Sequence, residues 1–329
     1  MKKINGREIW SVLRQAAKGI SEHKIFKMSA SLAYYTIFSL GPMLLVIIFL
    51  GNVFLKKEAF EGSLYKQAGG LIGPAAASQI QEIIKNAALS GHNSITAVIG
   101  FITLLIGATT VFSDIQDSIN SIWNLKIKPS KDNFIKMLLS RLLSFSVVIG
   151  MGFLLLVSMA INGLLDVLMD RLKDHFPDMA VVIAYTLNIF LTLVITSFLF
   201  AIIFKVLPDA LIKWKDVMIG ALFTAILFMA GKFLISFYIG STDVGSSYGA
   251  AGSIVVLMLW VYFTAFILYL GAEFTKAWAL KFGGNIRPNK YAVTMQVAEV
   301  ETKEKTVQAN ENKTETTKIE MQQQADNKI

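Results

Sequence analysis

The chain contains long stretches without a charged residue, and the last of them, Val244 to Ala272, constrains the fold most. At a rise of about 1.5 Å per residue, a helix of this length crosses a hydrocarbon core of about 30 Å. Backbone polar groups in lipid must be hydrogen-bonded within the segment, and an α-helix achieves this. The stretch is therefore predicted to be a membrane-spanning helix.

Six such stretches divide the chain. Five carry no charge, and the sixth, Val217 to Thr242, is interrupted only by Lys232. The composition, 54% hydrophobic and 16% charged residues, is typical of a polytopic membrane protein and not of a water-soluble domain. We therefore predict an all-α polytopic membrane protein with six transmembrane helices, at about 32–55, 94–113, 142–165, 180–204, 217–239 and 251–272.

The distribution of Lys and Arg predicts the orientation. With a cytoplasmic N-terminus, the inside segments next to the spans contain 19 basic residues and the outside loops contain six. Basic residues accumulate on the cytoplasmic side, so both termini are predicted to be cytoplasmic. The same excess accounts for the formal net charge of +8 without a nucleic-acid partner.

The two ends of the chain differ from its apolar middle. Residues 1–27 are predicted to form a cytoplasmic amphipathic helix, which either lies along the anionic membrane surface or packs on the helix bundle. Residues 28–285 form the predicted six-helix transmembrane domain. Residues 286–329, rich in Glu, Lys, Thr, Gln and Asn, are predicted to be a disordered cytoplasmic tail, because they cannot bury enough apolar surface to offset their ordering entropy.

Pro42 lies near the middle of the first predicted span. A proline there removes the hydrogen bond to the carbonyl of Phe38 and clashes with the preceding turn, so the helix should kink or break. Broken helices at mid-membrane build substrate sites in transporters. The alternative is a plain kink in which Thr36 or Ser39 compensates for the lost bond.

Few ionisable residues lie in or beside the spans. Lys232 is the sole charge within the six, and it should either face the bundle interior or extend to the interface. Asp114 and Asp117, one turn apart, follow the second span, and Glu273 follows the last. On the last span, Tyr269 and Glu273 share one helical face with Tyr248, Val255 and Tyr262; this stripe either packs against neighbours or lines a pathway.

Four segments carry a family resemblance. They are Ala-Tyr-Tyr-x3-Ser-Leu-x-Pro ending at Pro42, Asn120-x-Ile-Trp123, Leu207-Pro-Asp209, and the last span with Tyr-Gly-Ala-x-Gly-Ser from Tyr248 and Leu-Gly-Ala-Glu ending at Glu273. In this order, over about residues 10–285, the chain resembles the YihY/BrkB-type family of bacterial inner-membrane proteins. The resemblance implies a multi-pass plasma (inner) membrane protein without a settled biochemical activity.

That family has carried two labels, virulence-associated factor and ribonuclease, and the second can be tested on the residues. Hydrolysis of RNA needs a metal cluster or an acid/base pair that a polyanion can reach. The chain has no cysteine and three histidines, of which only His23 precedes the first span, and ligand spacing is absent. We therefore expect no enzyme, no catalytic residues, no metal, no cofactor and no nucleic-acid partner.

The leading hypothesis is a transporter or flippase-like protein for a lipid, an amphiphile or a small solute. A phosphate loop is absent, so energy would come from a gradient or from a partner. The alternative is a membrane scaffold or envelope-assembly factor without transport activity. The expected partners are the lipid bilayer, a lipid or solute substrate, and a homo-oligomer or envelope proteins. The candidate pathway or coupling residues are Tyr34, Tyr35, Ser39, Pro42, Asp114, Asp117, Asn120, Asp209, Lys232, Tyr248, Gly249, Gly252, Trp260 and Glu273.

Overall fold

The computed structural model describes residues 5–54, 107, 110–127, 177–241, 248, 252–284, 286–289 and 292–295. These residues fall in one compact unit, Met1–Thr294, apart from Met295, which opens a second unit, Met295–Ile329. In chain order the elements are α1 (Gly6–Glu22), α2 (Ile25–Phe54), α3 (110–122), β1 (Leu125–Ile127), α4 (Pro177–Val206), β2 (Ala210–Leu211), α5 (Trp214–Ser241), α6 (Gly252–Phe282), β3 (Arg287–Pro288) and β4 (Ala292–Thr294). The protein is mostly helical, as predicted.

Within these ranges, three helical segments are long and apolar enough to cross a membrane: Thr186–Val206, Trp214–Ile239 and Ile254–Phe282. They coincide with the fourth, fifth and sixth predicted spans. The first predicted span lies within α2, whose side chains from Leu40 onward are not described. The predicted spans at 94–113 and 142–165 lie outside the described residues, except for 107 and 110–113, so the number of six stays a prediction.

Of the two outcomes predicted at Pro42, a kink or a break, the break does not occur, because α2 is one continuous helix from Ile25 to Phe54. Two hydroxyl groups before the proline donate to carbonyls of their own helix: Thr36 Oγ1 to Leu32 at 2.7 Å, and Ser39 Oγ to Thr36 at 2.9 Å. Neither donates to Phe38, whose carbonyl the proline leaves free. One missing bond in a long ladder therefore does not end the helix.

Helix α6 is central to the described fold, because α1, α2 and α5 all pack against it, and α4 packs against α5. The contact between α5 and α6 is reciprocal. Thr275 of α6 lies against Gly220 of α5, and Thr224 of α5 lies against Gly271 of α6. Each threonine hydroxyl donates to the carbonyl of the glycine four residues before it, at 2.7 Å. Small residues thus bring the two backbones close together, as at many membrane helix contacts.

The outer faces of α4 and α5 are covered by large apolar side chains. Several are more than half exposed, among them Phe190 on α4 and Phe233, Leu234 and Phe237 on α5. A water-soluble protein seldom exposes a continuous apolar surface of this kind. This surface is what a helix facing lipid requires, and it agrees with the three candidate spans.

Two short antiparallel strand pairs join segments that are distant in sequence. β1 pairs with β4, with Lys126 opposite Val293, and β2 pairs with β3, with Leu211 opposite Arg287. The prediction that a disordered tail begins at residue 286 therefore does not hold for the strand residues 287–288 and 292–294. These residues gain order from backbone hydrogen bonds to partner strands, which the polar composition of the segment does not reveal.

Candidate functional site

Buried polar side chains gather in three groups around α3 and α6. The first contains His23 and Glu273, the second Asp114 and Tyr269, and the third is centred on Asp209. Each group joins elements that are far apart in sequence. We treat the three groups together as the candidate functional site.

The turn between α1 and α2 places His23. Helix α1 ends as the His23 N–H donates to the Gly19 carbonyl at 3.0 Å and the Lys24 N–H to the Ser21 carbonyl at 3.2 Å. Lys24 then takes the left-handed conformation, with φ 54°, and redirects the chain into α2. The imidazole of His23 consequently faces the last turns of α6.

His23 Nδ1 makes a short hydrogen bond to Oε1 of Glu273 on α6. Both side chains are enclosed, with 16% of His23 and 5% of Glu273 exposed. The backbone of Gly19 lies directly against the Glu273 carboxyl group and leaves no space for another atom. The hydrogen bond to Glu273 raises the pKa of His23, while burial and the nearby Lys276 lower it. The arrangement thus favours a charged imidazolium against a carboxylate.

The end of α3 is fixed to the same part of α6. Trp123 Nε1 donates to the Ala272 carbonyl at 3.1 Å, and Lys276 Nζ donates to the Ile122 carbonyl. A lysine at the C-terminus of a helix satisfies a carbonyl that has no partner within that helix. These two hydrogen bonds hold the end of α3 against α6, next to the His23–Glu273 pair.

Asp114 on α3 lies in the contact with α2 and α6. Ser31 Oγ of α2 donates to Asp114 Oδ1 at 3.0 Å. The other oxygen, Oδ2, is buried and has no hydrogen-bond partner among the described residues. The hydroxyl of Tyr269 on α6 is also buried and makes no hydrogen bond of ordinary geometry among the described residues, although Ser118 and Asp114 lie near enough to act on it. A buried acceptor and a buried hydroxyl without partners are costly, so this group can bind a proton, a cation or a polar substrate group.

The carboxylate of Asp209, in the turn after α4, is fully engaged. Its oxygens accept from Gln116 Nε2 at 3.0 Å, Asn120 Nδ2 at 2.9 Å and Asn289 Nδ2 at 3.0 Å. In return, the Asp209 N–H donates to Asn120 Oδ1 at 2.9 Å, and the Asn289 N–H donates to the Asp209 carbonyl at 3.0 Å. These hydrogen bonds link α3 to the residues that precede β2 and follow β3.

The structure brings some of the predicted site residues together. Asn120 and Asp209 are in direct contact, and the exposed Asp117 lies within electrostatic range of Asp209. Asp114 shares α3 with them but faces Ser31 and Tyr269. Glu273 is bonded to His23 and belongs to a separate group.

Other predicted residues lie apart from these groups. Tyr34 and Tyr35 are more than a third exposed on α2 and contact one another edge to face, at 5.8 Å between ring centroids. Trp260 is buried with Ile235 and Ile239 of α5 in a small apolar cluster. The remaining residues are spread along the chain. Ser39 is buried on α2, Lys232 is half-buried on α5, Tyr248 is exposed and Gly252 is buried at the start of α6. Gly249 and the side chain of Pro42 lie outside the described residues.

Sequence reasoning missed several functional candidates, chiefly His23, Gly19, Ser31 and Asn289. His23 is the one histidine among the described residues, and a lone histidine beside a basic helix gives no sign that its partner is Glu273. A helical spacing signal did exist for Tyr269, since it shares a face with Glu273. Within the described ranges, no three His, Asp or Glu side chains converge as a metal site.

A family model described as Virulence factor BrkB matches residues 16–294. The chain is similar to a UPF0761 membrane protein of Haemophilus influenzae, with 24% identity over 78% of this chain and 90% of the relative. It is 26% identical to the ribonuclease-like protein YfkH of Bacillus subtilis, over 80% of this chain and 93% of that protein. No solved structure matches the chain significantly.

Several other relatives are longer than this chain. A UPF0761 membrane protein of Paraburkholderia xenovorans is 28% identical over 83% of this chain, and the match covers 61% of that relative. For one from Bordetella petrii the match covers 56% of the relative. The chain thus spans somewhat more than half the length of these curated relatives.

Proposed function

The chain belongs to the BrkB virulence-factor family of membrane proteins, and we propose that it is a transporter or flippase-like protein for a lipid, an amphiphile or a small solute. One observation carries the proposal: Asp114 Oδ2 and the Tyr269 hydroxyl are buried within electrostatic range of one another, and neither makes a hydrogen bond of ordinary geometry among the described residues. Ionisable groups inside a membrane helix bundle are costly and mark ion or substrate pathways. The proposed setting is the bacterial inner membrane, with both termini cytoplasmic.

In this proposal Asp114 is the coupling group. A carboxylate with an unfilled acceptor has room for a proton or a cation, whereas the oxygens of Asp209 already accept three hydrogen bonds. Binding of a proton or cation neutralises the charge of Asp114, which lies between α2, α3 and α6. The loss of this charge changes the relative stability of the two helix arrangements between which a transporter alternates. A gradient can then drive the transition, which suits a chain without a phosphate loop.

The test is reconstitution into liposomes that contain a phospholipid with a fluorescent headgroup and an internal pH dye. The wild-type protein should expose inner-leaflet probe to an external quencher, or take up protons, under a proton gradient. Asp114→Asn should lose most of this activity, and Glu22→Gln, at an exposed carboxylate on α1 that pairs with Lys18, is the matched control. Wild-type protein that moves neither probe nor protons, or an Asp114→Asn variant as active as wild type, would count against transport.

A membrane scaffold or envelope-assembly factor is the second candidate. It is favoured by the two strand pairs and the Asp209 group, which fix loops at one end of the bundle into a defined surface. A scaffold needs no charged pathway. In a deletion strain under envelope stress, Asp114→Asn, Glu273→Gln and Lys232→Met should then each restore growth at normal protein abundance.

RNA hydrolysis is not part of our proposal. The His23–Glu273 pair has the composition of an acid/base pair, but both side chains are enclosed between α1 and α6, and a polyribonucleotide is too large to reach them. RNA cleavage by the purified protein that disappears in His23→Gln would contradict this view.

A further inference from the structure

The two sides of α1 have different surroundings. Val12, Ala16 and Gly19 are buried, and the first two pack against Phe274, Ala277 and Trp278 of α6. Lys281 Nζ also donates to Ser11 Oγ at 2.7 Å. Helix α1 is therefore docked on the bundle, which agrees with the second of the two arrangements predicted for it. The contact uses only part of its surface.

An apolar side chain remains uncovered on α1. Trp10 is 68% exposed, the highest value of any tryptophan in the described residues, and the exposed Ala17 lies on the same face two turns later. Two exposed basic residues, Arg7 and Arg14, lie beside this face of α1. Neither arginine forms an ion pair within the described part of the chain, and Lys18 pairs with Glu22 at 2.8 Å.

The level of α1 along the bundle follows from its contacts. The α6 residue Phe274 that packs on α1 also stacks on Phe223 of α5, with 3.9 Å between ring centroids. Nearer the start of α5, Asp216 lies against Gly283, just past the end of α6, and exposed Trp214 is flanked by exposed Lys213 and Lys215. Tryptophans with neighbouring basic residues are typical of the membrane–water interface. The Ser11 end of α1, bonded to Lys281 of α6, thus lies near a second motif of this kind.

We propose that the Trp10 face of α1, defined by Trp10, Arg14 and Ala17, binds the anionic headgroups of the adjacent leaflet while its opposite face stays docked on α6. The tryptophan ring enters the headgroup region, and the two unpaired arginines complement the negative lipid charge. The proposal does not depend on transport. It gives the bundle a surface that binds anionic lipid headgroups.

The test uses the absence of cysteine from the chain. Full-length protein carrying Ala17→Cys is labelled with a polarity-sensitive fluorophore in nanodiscs of phosphatidylcholine, with or without phosphatidylglycerol. Gln15→Cys, exposed on another side of α1, is the matched control, and Ser21→Cys reports on the same side as Ala17 if that variant does not fold.

Spin-labelled lipid should quench the label at 17 at least about twofold more than the label at 15, and more strongly with phosphatidylglycerol. Arg7→Gln combined with Arg14→Gln should abolish the increase due to phosphatidylglycerol. Equal quenching at the two positions, or none, would overturn the proposal. Disulfide-linked dimers through Ala17→Cys would also overturn it, because a second copy would then cover this face.

Discussion

The carboxyl group of Glu273 occupies the space directly above the backbone of Gly19, so that α1 and α6 meet without room for a methyl group. The same carboxylate receives the hydrogen bond from His23. Glycine at position 19 therefore permits the approach that forms the pair. This contact joins the N-terminal helix to the central helix of the fold.

Gly19→Ala should destabilise the protein, because its Cβ would overlap the Glu273 carboxyl group. Overpacking of this kind costs about 1–3 kcal/mol. Thermal unfolding in detergent, followed by intrinsic fluorescence, should show a lower Tm. Gly6→Ala is the control, since nothing lies within 4 Å of a Cβ there. Equal Tm values for the two variants would show that Gly19 is not confined as described.

The His23–Glu273 pair should make the docking of α1 depend on pH. The folded-state pKa of His23 is raised above its ordinary value of 6.5. The stabilisation is therefore fully present below about pH 6.5 and is lost as the pH rises through the raised pKa. Tm measured from mildly acidic to alkaline pH should fall over this interval. His23→Gln should flatten the curve, and an unchanged slope in that variant would assign the effect to other groups.

The reciprocal contact between α5 and α6 predicts a specific rescue. Gly271→Ala places a methyl group against the Thr224 side chain and should destabilise the bundle by about 1–3 kcal/mol. Thr224→Gly in the same chain removes the obstacle and should recover part of the loss, measured as unfolding in increasing sodium dodecyl sulfate. Additive effects of the two changes would contradict direct contact.

The Asp209 group predicts a difference between two amides on α3. Asn120→Ala removes both a donor to the carboxylate and the acceptor of the Asp209 N–H, so it should cost about 1–3 kcal/mol. Gln116→Ala removes one of three donors to that carboxylate and should cost less. Hydrogen exchange at Ala210 and Leu211 should accelerate more in Asn120→Ala. Equal exchange in both variants would show that Asn120 does not hold the β2–β3 pair.

Much of the helical architecture could be predicted from the sequence, because uncharged length is a local property. The fourth, fifth and sixth predicted spans fall on α4, α5 and α6, and the ends of the first two agree within a few residues. Helix α6 continues to Phe282, ten residues past the predicted end of the span at 272. Those extra turns carry Glu273 and Lys276, which the bonds to His23 and Ile122 hold in place.

The candidate site could be predicted less well. Charge and motif point to single residues but not to their hydrogen-bond partners. The residues are Asp114, Asn120, Asp209 and Glu273. Gln116 and Asn289 meet at Asp209 only because the strand pair β2–β3 brings the C-terminal segment back. Asp114 and Asp209 are both single acidic residues in the sequence, yet among the described residues one Asp114 oxygen has no hydrogen-bond partner and both Asp209 oxygens have one.

Span length, missing charge and short motifs are read along one segment at a time, and together they identify a helical membrane protein of the BrkB family. Which polar groups of the described residues are hydrogen-bonded, and which are not, depends on how the helices pack. Hydrogen-bond satisfaction depends on atoms from α1, α2, α3 and α6 meeting within about 3 Å. That proximity is a property of the packed bundle and of no single helix.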